Sequence, residues 1–171
     1  MKIPAIQKIL YTTDLSENAR YAFSYALSLA RQYEARITVL HVLEELSPTA
    51  QWMVGDIIGE KRWSALKDEK QDSVIEALRS RLQAFCEEVS ENVPDCPLVV
   101  ADTIVETGHP VDRIIELADA GDFDVIVMGC RGLGVLGDVM LGSTSRRVLR
   151  RCKTPVLVIR LPEQNNEESE S

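Results

Sequence analysis

Apolar residues recur along this chain with two alternating periods, and the alternation outlines a succession of strands and helices. Lys8 to Thr13 is a short apolar run of strand character. From Ser16 to Tyr33 the apolar positions 19, 22, 23, 26, 27 and 30 form a stripe of 3.6-residue period, which predicts a helix packed on a sheet. Arg36 to Leu43 returns to strand character, with Ile37, Val39, Leu40, Val42 and Leu43 apolar. Strand, helix and strand in that order predict a parallel pair joined by a crossover.

Between Glu44 and Trp63 the regular pattern breaks. Pro48, Gly55 and Gly59 interrupt it, yet Trp52, Met53, Val54, Ile57, Ile58 and Trp63 are too apolar for a free linker. The expectation is a partly helical insertion, 44–63, whose tryptophans pack on something. It fits a lid over a bound ligand, a satellite core or part of a subunit contact. A long helix should follow from Ser64 to Val89, burying Val74, Ala77, Leu78, Arg81, Leu82, Phe85 and Val89, and ending at Asn92-Val93-Pro94.

The second half repeats the theme. Leu98 to Glu106 reads as a third strand, Gly108-His109-Pro110 as a turn, and Val111, Ile114, Ile115 and Ala118 as one face of a helix that Pro110 begins and Gly121 stops. Phe123 to Met128 is nearly continuous apolar sequence, as for a parallel strand buried on both faces. Ser143 to Arg151 reads as a helix and Pro155 to Leu161 as a last strand. Five strands alternating with helices define the α/β class with an open parallel sheet; their spatial order is not written in the pattern.

Length adds that residues 1–161 form a single domain, since 171 residues suffice for one sizeable core and no second. Residues 162–171, acidic and without aliphatic or aromatic side chains beyond Pro162, read as a disordered tail. The net charge of −8 argues against broad binding to nucleic acid or anionic membranes. No apolar run approaches the roughly 18 residues of a membrane span, and the N-terminus lacks a signal-peptide core. A cytoplasmic protein is the expectation. The cysteines, Cys86, Cys96, Cys130 and Cys152, form no C-x-x-C pair or metal spacing, so reduced thiols are expected.

The candidate chemistry lies after the fourth strand. Gly129, Gly132, Gly134, Gly137 and Gly142 precede Ser143-Thr144-Ser145. A glycine-rich connection from a buried strand to a helix start lets backbone approach an anion at the positive end of the helix dipole. The segment is not a P-loop, because Ser143 stands where Lys is required, and G-x-G-x-x-G is absent.

The spacing Gly129-x-x-Gly132, nine residues, then Gly142-Ser143 resembles the ATP-binding subclass of the universal stress protein family. Lys8-Ile9-Leu10-Tyr11-Thr12-Thr13-Asp14-Leu15-Ser16 looks like its first strand and turn, and Val39-Leu40-His41-Val42 like its second strand. Gly108-His109-Pro110 and Pro155-Val156-Leu157-Val158-Ile159 match later landmarks. The resemblance implies a Rossmann-like, adenine nucleotide alpha hydrolase-like sheet with strand order 3-2-1-4-5. Strands one and four would then adjoin, and their carboxyl ends would form the ligand crevice.

By that resemblance the ligand is ATP, with or without Mg²⁺. Asp14 would hold a ribose hydroxyl or the adenine amine; Thr12, Val42 and Met128 would border adenine; and Gly129, Gly132, Gly142, Ser143, Thr144 and Ser145 would take ribose and phosphates. Many ATP-binding relatives carry proline where Thr12 stands. Arg131 is placed to pair with a phosphate or to remain solvated. Asp14 also fits a capping box with Glu17. No nucleophile constellation accompanies His41 or His109. The resemblance implies a nucleotide-dependent switch in stress response acting on a protein partner of unknown identity. It also implies a homodimer through Pro155 to Ile159. A slow Mg²⁺-dependent ATPase or nucleotide hydrolase, and a dimeric module that binds no nucleotide, are the alternatives.

Overall fold

The computed structural model describes residues 4–45, 48–88, 99–130 and 141–162. Its strands are β1 (Lys8–Thr13), β2 (Arg36–Leu43), β3 (Val100–Thr107), β4 (Val125–Gly129) and β5 (Val156–Ile159). Its helices are α1 (Glu17–Tyr33), α2 (Pro48–Ile58), α3 (Glu60–Glu88), α4 (Pro110–Ala120) and α5 (Ser143–Arg151). The sheet is parallel throughout, in the order β3-β2-β1-β4-β5. This is the α/β architecture and strand order expected above.

Side chains alternate between two cores because successive strand residues point to opposite faces. Ile9, Tyr11, Ile37, Val39, Val125 and Val127 join α1 and α3 in one cluster. Leu10, Leu40, Ile126 and Met128 join Val111, Ile114 and Val148 of α4 and α5 in the other. Each fully buried aliphatic side chain contributes about 1.5–3 kcal/mol relative to exposure. The chain fills one face with its first helices, then jumps from the β3 edge to β4 beside β1 and fills the other face. The connections therefore diverge between β1 and β4.

The insertion differs from expectation. Residues 48–58 form a regular helix, Gly59 breaks it with φ +86°, and α3 begins at Glu60 rather than near Ser64. Glycine alone enters that backbone region without a Cβ penalty. Trp63 is half-buried, but Trp52 is 70% exposed and Met53 and Ile57 are also exposed. The expectation that both tryptophans pack is therefore met only by Trp63. On α3, Leu78 and Cys86 are buried, with Val74, Ile75, Leu82 and Phe85 against them. Ala77 and Arg81 are exposed, so the face is rotated from the predicted one; Arg81 still donates to the Leu15 carbonyl at 2.9 Å. Val89, Asn92-Val93-Pro94 and Leu98 lie outside the described residues, as does the tail beyond Pro162.

Cys86 is disulfide-bonded, contrary to the expectation of reduced thiols, while Cys130 and Cys152 are free. Cysteine spacing does not encode such pairing, which depends on where the fold brings the chains together. Among the described residues, no helix is long and apolar enough to cross a membrane.

Candidate functional site

A cavity of about 670 Å³ opens at the carboxyl ends of β1, β2 and β4, where the connections diverge. Open α/β sheets bind ligands at such a point, and the volume lies in the usual small-molecule range. Its apolar floor follows from strand register. Thr12 of β1 has Leu40 of β2 and Met128 of β4 as neighbours, and all three line the cavity with Val42 and Ile114.

One wall is the turn after β1. The Thr13 hydroxyl accepts from Leu15 N at 3.0 Å, and the Thr13 carbonyl accepts from His41 Nδ1 at 2.7 Å. Because a carbonyl oxygen only accepts, His41 carries its proton on Nδ1. It ties the ends of β1 and β2 beneath Asp14. Asp14 Oδ1 accepts from Ser16 N at 3.1 Å and from the Ser16 hydroxyl at 2.5 Å. Ser16 Oγ in turn accepts from Ala19 N, so Ser16 is the N-cap of α1. The capping box anticipated for Asp14 and Glu17 is thus displaced by two residues: Asp14 orients the cap rather than serving as it. Its Oδ2 makes no hydrogen bond among the described residues.

The opposite wall is the start of α5. Gly142 is the N-cap and supplies no side-chain cap, and the first helical bond runs from Arg146 N to the Gly142 carbonyl. The N–H groups of Ser143, Thr144 and Ser145 have no acceptor among the described residues. Uncapped donors at the positive end of a helix dipole favour an anion. The buried Ser145 hydroxyl lies 3.0 Å from the Cys130 carbonyl and 3.1 Å from that of Gly142, so it is engaged internally.

The eleven residues singled out from sequence divide cleanly. Thr12, Asp14, Val42, Met128, Gly129, Gly142, Ser143, Thr144 and Ser145 all line this one cavity. Arg131 and Gly132 lie outside the described residues. Sequence reasoning missed Leu40, Thr13, Glu44, Pro110 and Ile114 as lining residues, and assigned His41 no place in the wall. For Leu40 the only signal is register with Thr12, which a linear pattern does not contain. Gly129 has a second role: a Cβ there would lie 3.0–3.1 Å from backbone atoms of Asn18 and Ala19. Glycine is what lets α1 start against the end of β4.

A doubly wound parallel sheet with its cavity at the point of divergence, walled by a carboxylate and by a helix start whose first N–H groups have no acceptor among the described residues, defines a Rossmann-like α/β architecture. Within that class, the chain belongs to the universal stress protein family, whose model matches residues 5–160. It is 27% identical over 154 residues to universal stress protein MJ0577 of Methanocaldococcus jannaschii, covering 90% of this chain and 94% of the relative. A universal stress protein of Thermus aquaticus is 31% identical over 152 residues, covering 89% and 97%. Among solved structures, UspA from Lactobacillus plantarum superposes with TM-score 0.65 and 25% identity, covering 92% of this chain and 100% of that one. A universal stress protein in complex with cAMP shares the fold at TM-score 0.52 and 23% identity, covering 92% and 98%.

Proposed function

We propose that the cavity binds an adenine nucleotide, ATP foremost, and that the protein acts as a nucleotide-dependent switch in a stress response. The observation that carries this reading is the pairing of walls. Ser143, Thr144 and Ser145, whose N–H groups have no acceptor among the described residues, line the same space as Asp14, whose Oδ2 makes no hydrogen bond among them. The N–H groups suit phosphate, the carboxylate suits a ribose hydroxyl or the adenine amine, and Thr12, Val42 and Met128 border a flat apolar base. Gly129 and Gly142 give the phosphates close backbone approach. Arg131 and Gly132 enter by family resemblance alone. Mg²⁺ would arrive with the phosphates.

Thermal unfolding with ATP, ADP, AMP and cAMP tests the proposal. A ligand at about 100 times its Kd stabilises by roughly 2.7 kcal/mol. For a domain of this size that raises Tm by about 5–10 °C. No shift with any of the four overturns it. Mass spectrometry of nucleotide released from freshly purified, denatured protein is the complementary measurement.

Two further parts belong to the same reading. β5 stands at one edge of the sheet, and an apolar edge strand invites pairing with its copy about a two-fold axis. Light scattering after size exclusion should give a dimer mass, and a monomer at micromolar concentration overturns it. Cytoplasmic placement stands in tension with the Cys86 disulfide, since disulfides are rare in reducing compartments. Thiol titration of protein captured directly from cells resolves the two: a cytoplasmic chain should yield all four cysteines reduced.

A further inference from the structure

The outer face of α5 is a row of positive charge. Ser145 and Val148 turn inward and are buried, while Arg146, Arg147 and Arg150 are exposed. At 3.6 residues per turn these three arginines fall within one arc, opposite the buried side. Arg151, the remaining arginine of the helix, pairs with Asp112 at 2.9 Å. Arg146, Arg147 and Arg150 have no ion pair among the described residues, in a chain whose net charge is −8.

The chain itself carries a segment of matching charge. The Ile159 carbonyl at the end of β5 accepts from Cys130 N at 2.7 Å, and the Cys130 carbonyl accepts from Gly142 N at 2.7 Å. One residue therefore links the last residue of β5 to the cap of α5. The described chain continues to Pro162, three residues beyond Ile159. Residues 163–171 then carry Glu163, Glu167, Glu168 and Glu170, and no Lys or Arg. Nine residues span at most about 30 Å when extended, whereas a nine-residue helix is about 13 Å long. The reach is ample from this starting point.

We propose that the acidic segment 163–171 docks on the Arg146–Arg147–Arg150 face of α5 within the same molecule. Exposed ion pairs are individually weak, so an untethered acidic peptide would occupy this face poorly. A short tether raises the effective concentration to the millimolar range, which makes the cis contact the favoured occupant. The contact is electrostatic, so it weakens as the Debye length falls from about 10 Å at 0.1 M salt to about 3 Å at 1 M. The proposal stands independently of the nucleotide reading.

The test is NMR of arginine Nε–Hε groups in the full chain and in a chain carrying Glu163→Gln, Glu167→Gln, Glu168→Gln and Glu170→Gln together. These substitutions follow the last strand in sequence, and equal denaturant midpoints of the two chains should show that the fold is kept. At low salt the resonances of Arg146, Arg147 and Arg150 should differ between the two chains, with Arg151 nearly unmoved because Asp112 holds it. In about 1 M salt the differences should fall to less than about a third. Identical resonances at the three arginines, or a change that Arg151 shares equally, overturns the proposal. Differences that grow with protein concentration would assign the face to a second copy and overturn the cis contact.

Discussion

The Gly142 N–H donates to the Cys130 carbonyl at 2.7 Å, so the cap of α5 is fastened to the residue that follows β4. The two ends of the intervening glycine-rich segment are thereby held together at the cavity. The Ser145 hydroxyl reinforces the junction from within the first turn of the helix. Ser143 and Thr144 are thus held by the fold at the cavity wall.

Ser145→Ala tests that fastening. It removes one buried hydrogen bond but leaves the Cys130 carbonyl paired with Gly142 N, so the expected cost is about 1 kcal/mol. Thermal unfolding should show a loss of about 2–4 °C. Nucleotide affinity should fall with it if the α5 start is the anion site.

Ser143→Asp should separate stability from binding. A carboxylate in the first turn of α5 complements the helix dipole and should stabilise by about 0.3–1 kcal/mol. The same charge repels a phosphate from the adjacent N–H groups. Tm of the free protein should rise while the ATP-induced shift disappears; a retained shift would place the phosphates elsewhere.

Gly129→Ala should destabilise the free protein whether or not nucleotide binds. Its Cβ would press on backbone at Asn18 and Ala19, which a helix start cannot easily yield, and such overpacking costs about 1–3 kcal/mol. Denaturant unfolding without ligand measures it. An unchanged midpoint would mean that α1 can shift.

Ser16→Ala removes the cap of α1 together with one of the two donors that hold Asp14 Oδ1, leaving the Ser16 N–H. A loss of about 0.5–2 kcal/mol is expected, whereas Ser16→Gly should cost only a few tenths. Equal effects of the two substitutions in denaturant unfolding would contradict the capping role.

Tyr11 predicts an alkaline response. Its hydroxyl donates to the Ala19 carbonyl at 2.7 Å, and burial pushes its pKa well above the usual value of 10.0. The neutral form is favoured in the folded chain, so its contribution is complete below pH 10 and is lost progressively as pH rises above that. Tyr11→Phe should lower stability by about 1 kcal/mol at neutral pH. It should also flatten the decline above pH 10; equal slopes for the two chains would show that another group governs alkaline unfolding.

Local information determined a great deal of this protein. Strand β1, strand β2 and helix α5 begin and end where the apolar pattern says, because burial on a strand or helix face is a property of near neighbours in sequence. Gly129, Gly142 and Ser143 to Ser145 were legible as one group for the same reason: they close a strand and open a helix, and they line one cavity. Asp14 was legible as a residue of consequence, but its two readings, cap or ligand group, were inseparable in one dimension. Only the packed chain shows Ser16 taking the cap and Asp14 orienting it, with Oδ2 unbonded among the described residues.

Tertiary structure alone decided which strands adjoin, and with that everything contributed across the sheet. Leu40, Ile114 and Met128 meet because β1 lies between β2 and β4 and because α4 covers the same face. Whether Trp52 is covered, which side of α3 turns inward and where Cys86 finds a sulfur likewise depend on residues distant in sequence. Periodicity records how often a side chain returns to one face; it carries no record of what stands opposite.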